Sequence, residues 1–138
     1  MEYEKIENLI RKEQVTSNGE FVSNIEIDAY IEKIRSRAEL ITHYIEGECA
    51  GFVAFYCNDP LKKSAFVTLV LVSERFRGQG ISKNMLKCVL DVCKFREFKE
   101  CSLEVRSDNY PAIKVYGDLG FIKVEENEGR TVMKVDLN

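Results

Sequence analysis

The residues best suited to chemistry are two glycines in a short loop between an apolar strand and an amphipathic helix. The loop, Arg77-Gly78-Gln79-Gly80-Ile81-Ser82, follows Val70-Leu71-Val72 and precedes Lys83. The first N–H groups of a helix lack partners within the helix and carry positive partial charge. Without a Cβ, a glycine lets a phosphate approach those amides closely. The segment therefore predicts either a plain turn or a phosphate site, with Arg77 and the helix lysines as additional positive charge.

Two other phosphate-binding loops compete with this interpretation. The Walker loop, G-x-x-x-x-G-K-[ST], is absent. The dinucleotide fingerprint G-x-G-x-x-G fits Gly78 and Gly80 but has Lys83 where its third glycine belongs. Glu104, near the end of the following strand, can imitate the acid that binds the ribose in that motif. Dinucleotide binding therefore stays open as a minor alternative.

The composition is that of a globular protein. The 138 residues are 45% hydrophobic and 31% charged, which suits one domain with its own core. A net charge of -3 gives no general attraction to nucleic acid or anionic membranes, so a polyanionic ligand needs a local site. No apolar run approaches the roughly 20 residues of a membrane-spanning helix. The charged N-terminus lacks the apolar segment of a signal peptide, so we expect a cytoplasmic protein with reduced cysteines.

The cysteines and the histidine give no metal signature. Five cysteines occur without a C-x-x-C pair, and His43 is the only histidine. Cys88 and Cys93 lie in one helical segment at a spacing that places them on different faces. We therefore expect no metal and interpret the cysteines as small buried thiols.

Hydrophobic periodicity predicts ten elements, in the order α-α-β-β-β-α-β-α-β-β. The first helix covers about 2–12, with Ile6, Leu9 and Ile10 on one face, and a polar loop at 15–24 leads to a second helix capped by Asp28. Strands are expected at 40–45, 50–56, 65–72, 101–106, 121–126 and 131–137. The run at 65–72 is nearly all apolar, which indicates a central strand covered on both faces. A helix follows the glycine loop. A shorter one, capped by Asp108 or Asn109, has Pro111 in its first turn and ends at Gly120. Such an order indicates a mixed sheet with helices on its faces.

Two segments together resemble the GNAT superfamily of N-acetyltransferases. The segment 103–112, Leu-Glu-Val-Arg-Ser-Asp-Asn-Tyr-Pro-Ala, and the segment 115–121, Val-Tyr-Gly-Asp-Leu-Gly-Phe, are similar to its C-terminal signature. The loop is similar to its R/Q-x-x-G-x-G/A element, with Arg77 and Gly80 matching and Ser82 in the last place. The match covers roughly Leu40 to the C-terminus. It implies an α/β (α+β) single domain with a mixed, mostly antiparallel sheet of about six strands and helices on both faces.

The resemblance also implies a binding site for acetyl-CoA as co-substrate. Its pyrophosphate would contact the loop, and its pantetheine arm would pair with the edge of a strand that splays from its parallel neighbour. We expect residues 1–138 to be one N-acetyltransferase domain, with 1–38 on the acceptor side and 39–138 as the cofactor-binding core. The cofactor-binding residues expected in this way are Val70, Leu71, Val72, Arg77, Gly78, Gln79, Gly80, Ile81, Ser82, Lys83, Asn109 and Ala112.

By the same resemblance, Tyr116 is the general acid that protonates the departing thiolate. The alternative is a packed tyrosine with a solvated hydroxyl. Glu104 is the candidate base, because the spacing of twelve residues to Tyr116 is similar to that in ribosomal-protein-alanine acetyltransferases. Strand alternation places Ser102, Glu104 and Arg106 on one face. The alternative for Glu104 is a solvated carboxylate or one paired with Arg106.

These features predict an N-acetyltransferase that acts on a primary amine of a small molecule. A protein N-terminus stays open as the acceptor. A catalytically silent acyl-CoA-binding module on the same fold also stays open, because a fold does not fix a function. No nucleic-acid or membrane partner is expected. A homodimer is compatible with the sequence, which carries no feature that specifies one.

Overall fold

The computed structural model describes residues 2–17 and 26–137. Its four helices are α1 (Glu2–Thr16), α2 (Ile27–Arg37), α3 (Ile81–Phe95) and α4 (Tyr110–Asp118). Its six strands are β1 (Glu39–Ile45), β2 (Glu48–Tyr56), β3 (Ser64–Val72), β4 (Glu100–Arg106), β5 (Ile122–Asn127) and β6 (Arg130–Asp136). A short 3-10 turn (Glu74–Phe76) lies between β3 and α3. The predicted order of helices and strands is confirmed.

The strands form one mixed sheet in the order β1-β2-β3-β4-β6-β5. Only the β3–β4 pair is parallel, because α3 carries the chain back across the sheet between those two strands. The other four pairs are antiparallel. This confirms the predicted single-domain, mostly antiparallel sheet with helices on both faces.

Each face of the sheet carries its own apolar core. The core under α3 and α4 includes Met85, Leu86, Val89 and Cys93 of the predicted α3 stripe. The core under α1 and α2 is smaller, and it contains Ile6, Ile10, Ile31 and Ile34 packed on Phe52 and Leu71. The second core covers β2 and β3, whereas the strands β4, β6 and β5 lie beyond it.

β2, rather than β3, is the strand buried on both faces. Every residue from Cys49 to Phe55 is buried, whereas β3 has the exposed Phe66 and only partly buried residues at Thr68, Leu69 and Val70. The predicted central place of β3 is confirmed by the strand order. The prediction that both its faces are covered holds in part, because Val67 lies in the core under α3 and α4 and Leu71 in the core under α1 and α2, whereas Phe66 is exposed.

The first two helices differ from the prediction in their ends. α1 continues to Thr16, so Val15 and Thr16 of the predicted loop are helical, and residues 18–24 of that loop lie outside the described part of the chain. Glu26, not Asp28, caps α2, because its carboxylate accepts hydrogen bonds from the N–H groups of Asp28 and Ala29, each at 3.1 Å. Asp28 instead lies in the first helical turn, where a carboxylate also stabilises the helix.

The cysteines are free thiols, and four of the five are buried. Cys57 and Cys93 meet inside the core with their Sγ atoms 3.6 Å apart, and burial raises the pKa of Cys57 to about 11. Cys88 is exposed on α3, which confirms that it lies on a different face from Cys93 but contradicts its expected burial.

Candidate active site

The site lies where β3 and β4 separate. Their parallel ladder ends at the pair Val67 and Leu103, although the strands continue to Val72 and Arg106. At the same point the register between β3 and β2 shifts, so that Thr68 has no partner residue on β2. An extra residue of this kind bends a strand. The bend opens the sheet at Val67, and the opening continues as two adjoining cavities.

The glycine loop and the N-terminus of α3 form the far wall of the larger cavity. Gly78 and Gly80 have φ of 81° and 75°, values that an L side chain rarely adopts. Gly80 is the N-cap of α3, so no capping side chain accepts hydrogen bonds from the first helix amides. The first turn of α3 also contains no acidic residue. The amides of the first helical turn therefore face the cavity with the positive end of the helix dipole, an arrangement suited to an anion.

The loop motif fits the structure better two residues earlier than the sequence comparison placed it. Starting at Arg75, the R/Q-x-x-G-x-G/A element puts its two small residues at Gly78 and Gly80, the two positions with left-handed backbone. Starting at Arg77, it puts the last small residue at Ser82, inside the helix. In the earlier register the chain has no departure from the motif.

The larger cavity, about 670 Å³, brings together nearly all the predicted cofactor-binding residues. They are Val70, Leu71, Val72, Arg77, Gly78, Gly80, Ile81, Ser82, Lys83, Asn109 and Ala112. Gln79 is exposed and does not line the cavity. Glu13, Phe76, Pro111 and Val115 also line it and were not predicted.

The open edge of β3 presents main-chain groups from alternate residues. The N–H of Ser73 donates to the carbonyl of Ala50 at 2.8 Å, and the Leu71 carbonyl lies so close to Gly51 that a Cβ there would be 2.7 Å from it. Leu71 thus faces β2. Because neighbouring residues of a strand direct their main chain to opposite edges, Val70 and Val72 direct theirs toward the opening. Val70 therefore directs its N–H and carbonyl to the opening, and Val72 its N–H, because the Val72 carbonyl accepts a hydrogen bond from Arg77 at 2.9 Å; Leu71 contributes only lining.

Both basic side chains predicted at the loop have partners within the protein. Arg77 donates from Nε to the Val72 carbonyl at 2.9 Å and from Nη2 to Glu13 at 2.8 Å. Lys83 lies 3.7 Å from a carboxylate oxygen of Asp118. The attraction of this region for phosphate therefore rests mainly on the backbone amides, because Glu13 and Asp118 partly neutralise the positive charges of Arg77 and Lys83.

Tyr116 lies at the junction of the two cavities and lines both of them. Its ring is 8% exposed and packs edge-on against Phe121, with the centroids 6.1 Å apart. Burial raises the pKa of Tyr116 to about 12, which keeps the phenol protonated at neutral pH. No side chain within residues 2–17 and 26–137 is a buried polar group without a partner, so the unpaired hydroxyl opens onto the cavities. Tyr116 is thus both a packed tyrosine and an available proton donor.

Asn109 joins the same junction from the start of α4. Its side-chain oxygen accepts a hydrogen bond from the N–H of Ala112 at 3.3 Å, which confirms it as the helix cap. It lines both cavities. The cap fixes the first turn of α4, and the helix then carries Tyr116 into the opening.

The smaller cavity, about 340 Å³, lies between the bent part of β3, the end of β4 and the N-terminal helices. Glu104 lines it from β4, on the strand face predicted by alternation. The carboxylate pairs with Arg130 of β6, whose Nε donates to Oε1 at 2.8 Å. Arg106, the partner considered from the sequence, instead contacts Asp108 through two bonds of 3.3 Å.

Three residues of the smaller cavity carried no signal in the sequence. Glu13 lies in the part of α1 beyond its predicted end, and it lines both cavities. Tyr30 of α2 lines the smaller one, and its hydroxyl donates to the carbonyl of the bulged Thr68 at 3.4 Å. Arg130 reaches the cavity only because the β5–β6 hairpin folds back beside β4. The apolar stripe of α1 could have located Glu13, had the helix been extended by one turn.

Two further features are absent from residues 2–17 and 26–137. No group of three or more His, Cys, Asp or Glu side chains is arranged to hold a metal ion. None of the described helices has the length and apolar character needed to cross a membrane.

Comparison with known proteins agrees with the geometry. A putative ribosomal protein bS18-alanine N-acetyltransferase of Bacillus subtilis is 30% identical over 79 residues, which are 56% of this chain and 52% of that protein. A spermine/spermidine N(1)-acetyltransferase of the same organism is 27% identical over 84 residues, 56% of this chain and 55% of the relative. The chain thus spans about half the length of these relatives.

The fold is shared with a solved acetyltransferase. The PaiA N-acetyltransferase of Thermoplasma acidophilum, solved in complex with coenzyme A, superposes with a TM-score of 0.77 at 16% identity, covering 97% of this chain and 92% of that one. A profile described as the acetyltransferase (GNAT) family matches residues 4–121, which extends the similarity from the predicted start at Leu40 to the N-terminal helices. The chain belongs to the GNAT family of acetyltransferases.

Proposed function

We propose that the protein transfers the acetyl group of acetyl-CoA to a primary amine of a small molecule by direct attack of the amine on the thioester. The observation that carries this proposal is the position of the Tyr116 hydroxyl, at the junction of a large cavity headed by free helix amides and a small cavity lined by Glu104. Two substrates that enter from the two cavities would meet at this hydroxyl.

The larger cavity suits acetyl-CoA. The amides at the start of α3 would bind the pyrophosphate, and the main-chain groups of Val70 and Val72 would bind the pantetheine arm as an added strand does. One N–H at this edge would also stabilise the oxyanion of the tetrahedral intermediate, a contribution of about 3 kcal/mol in comparable sites. The co-crystallised coenzyme A of the T. acidophilum enzyme supports this assignment.

The smaller cavity suits the acceptor, with α1 and α2 of the 1–38 region forming one wall. Glu104, directly or through a water, would take the proton that the ammonium must lose before the amine attacks. The nitrogen then bonds to the carbonyl carbon, the C–S bond breaks, and Tyr116 gives its proton to the departing thiolate. The second proton that the attacking nitrogen must lose returns to the tyrosinate, so that a neutral amide, a free thiol and the phenol result. A volume near the lower end of the roughly 300–1,000 Å³ range of small-molecule sites favours a small acceptor.

A protein N-terminus is the second candidate acceptor. The B. subtilis relative named for ribosomal protein bS18 favours it, as does the spacing between Glu104 and Tyr116. A chain terminus would have to enter the same small cavity with its first residue. We also propose that the protein works in the cytoplasm, where cysteines stay reduced.

Thiol release from acetyl-CoA in the presence of a panel of small amines and N-terminal peptides tests the function. We expect turnover with at least one small amine and weaker turnover with the peptides. Tight binding of acetyl-CoA without thiol release on any acceptor would instead indicate a silent binding module. A rise in melting temperature with NAD and none with acetyl-CoA would support the dinucleotide alternative.

A further inference from the structure

Two arginines face each other on the wall of the smaller cavity. Arg106 of β4 and Arg130 of β6 are direct partners in the antiparallel ladder, and both line the cavity. Like charges directly opposite each other destabilise a sheet unless anions offset them. This pair is offset by two carboxylates, since Asp108 holds Arg106 and Glu104 holds Arg130, so Arg130 and Glu104 lie side by side on the wall of the cavity.

Arg130 has hydrogen-bonding capacity left after its contact with Glu104. The ion pair uses Nε, and the two terminal nitrogens donate to no other group among residues 2–17 and 26–137. A guanidinium presents five N–H donors in a planar fork that matches a carboxylate. Its side chain is 46% exposed, so a ligand in the cavity can reach it.

The four charged groups of the described cavity wall balance in sign. Glu13 and Glu104 contribute two carboxylates, while Arg106 and Arg130 contribute two guanidiniums. Arg77 further neutralises Glu13 from the cofactor side. A polycation such as a polyamine would find no net attraction here and would have to approach two arginines. A molecule with one positive and one negative group can instead contact the adjacent Glu104 and Arg130 at the same time.

From this arrangement we infer that the acceptor is a small amino acid or a close analogue, in which the amine that is acetylated is accompanied by a carboxylate. The inference rests on the proposed function and narrows its substrate class. Arg130 binds the carboxylate through its terminal nitrogens, and Glu104 receives the amine on the side facing Tyr116. Arg130 is thereby the specificity-determining residue, and its contact with Glu104 sets the spacing between the two recognition points.

Matched substrates test the inference directly. Thiol release is measured with a panel of L-amino acids, each beside its carboxamide, and with spermidine. The amide lacks only the negative charge, and its amine has a lower pKa, so proton loss alone would favour the amide. We expect the best amino acid to exceed its amide by about 10- to 100-fold in kcat/KM, the range of a hydrogen-bonded charge pair. Spermidine should be poorer than that amino acid.

The variant Arg130→Gln should raise KM for the amino acid by a similar factor and leave KM for the amide within about twofold. Arg130→Lys, which keeps the charge but loses the fork, should keep part of the preference. Lys134→Gln is the matched control. Lys134 lies on the same strand and pairs with Glu100 at 3.4 Å in the same diagonal arrangement, but outside the cavity. The Lys134→Gln variant should leave KM unchanged for both the amino acid and the amide.

The possible results distinguish a failure of this inference from a failure of the proposed acetyltransferase function. Turnover that is equal on acids and amides, or greatest on spermidine, overturns the substrate class while the acetyltransferase activity stands. A preference that survives in Arg130→Gln, or equal losses on acid and amide, overturns the role of Arg130. Absence of thiol release with every amine defeats the proposed function and this inference together. Because both ion pairs are exposed, melting temperatures should stay within a few degrees in all variants.

Discussion

Replacing Tyr116 with phenylalanine removes one oxygen from the junction of the two cavities and little else. The ring is buried against Phe121, and phenylalanine retains that packing. The hydroxyl makes no hydrogen bond to residues 2–17 or 26–137, so its loss leaves no partner unsatisfied there. We therefore expect the melting temperature and the dissociation constant for acetyl-CoA to change little, by a few degrees and about twofold.

Turnover, by contrast, should fall steeply. General acid catalysis contributes about 10²- to 10⁴-fold to enzymatic rates, so kcat of Tyr116→Phe should fall by at least about 100-fold. This corresponds to about 2.7 kcal/mol or more of lost transition-state stabilisation. The loss should appear in kcat and in kcat/KM alike, because the proton is transferred only when the C–S bond breaks.

The pH dependence gives a second, independent readout. Burial raises the pKa of Tyr116 to about 12, so the phenol is in its acid form at every pH well below that value. The wild-type kcat should rise with pH as the acceptor amine loses its proton. It should show no descending limb before about pH 10, the unperturbed tyrosine pKa.

The assay is thiol release at saturating acetyl-CoA, with Tyr110→Phe as control. Tyr110 begins the same helix, is 74% exposed and lines neither cavity, so its variant should match the wild type. A Tyr116→Phe enzyme with unchanged kcat would refute the assignment of the acid. A descending limb near pH 10 that disappears in Tyr116→Phe would refute the argument from burial.

Three further changes probe the loop, the base and the sheet. Gly80→Glu places a bulky carboxylate where φ is 75° and helix amides face the cavity, so acetyl-CoA affinity should fall by more than about 100-fold in calorimetry. Cys88→Glu adds the same carboxylate on the exposed side of α3, outside the cavity, and should bind normally. Glu104→Gln should lower kcat/KM by about 100-fold or more at neutral pH and less at alkaline pH, where the amine is already deprotonated; a uniform loss would argue against a base. Gly51→Ala should lower the melting temperature by about 4–12 °C, since its Cβ would be 2.7 Å from the Leu71 carbonyl, and an unchanged melt would mean that β2 and β3 separate easily.

The cofactor side of the site was predictable because its determinants are local. The strand, the glycines at 78 and 80, and the helix follow one another in the sequence. Their backbone conformations can be predicted from the residue types alone. Asn109 as a cap and Pro111 in the first turn of α4 follow the same logic. The register of the motif was less certain, because Gly78, Gly80 and Ser82 are all small enough to satisfy it. Only the positive φ values at the two glycines favour the start at Arg75.

The acceptor side resisted prediction because its residues meet only through long-range packing. Glu104 pairs with Arg130, 26 residues away, and Tyr30 contacts Thr68, 38 residues away. The nearer candidate, Arg106, lies on the same strand face as Glu104, so alternation alone could not exclude it. The choice depends on the antiparallel register of β4 and β6, which places Arg130 diagonal to Glu104. Likewise, burial of β2 rather than β3 follows from where α1 and α2 pack.

One contact connects the two halves of the site. Arg77, in the glycine loop, donates both to the Val72 carbonyl at the open strand edge and to Glu13 of α1. Since Glu13 lines both cavities, a single guanidinium fixes the end of β3 against α1 along the boundary between them. This contact therefore fixes α1 relative to the part of the chain that carries the glycine loop.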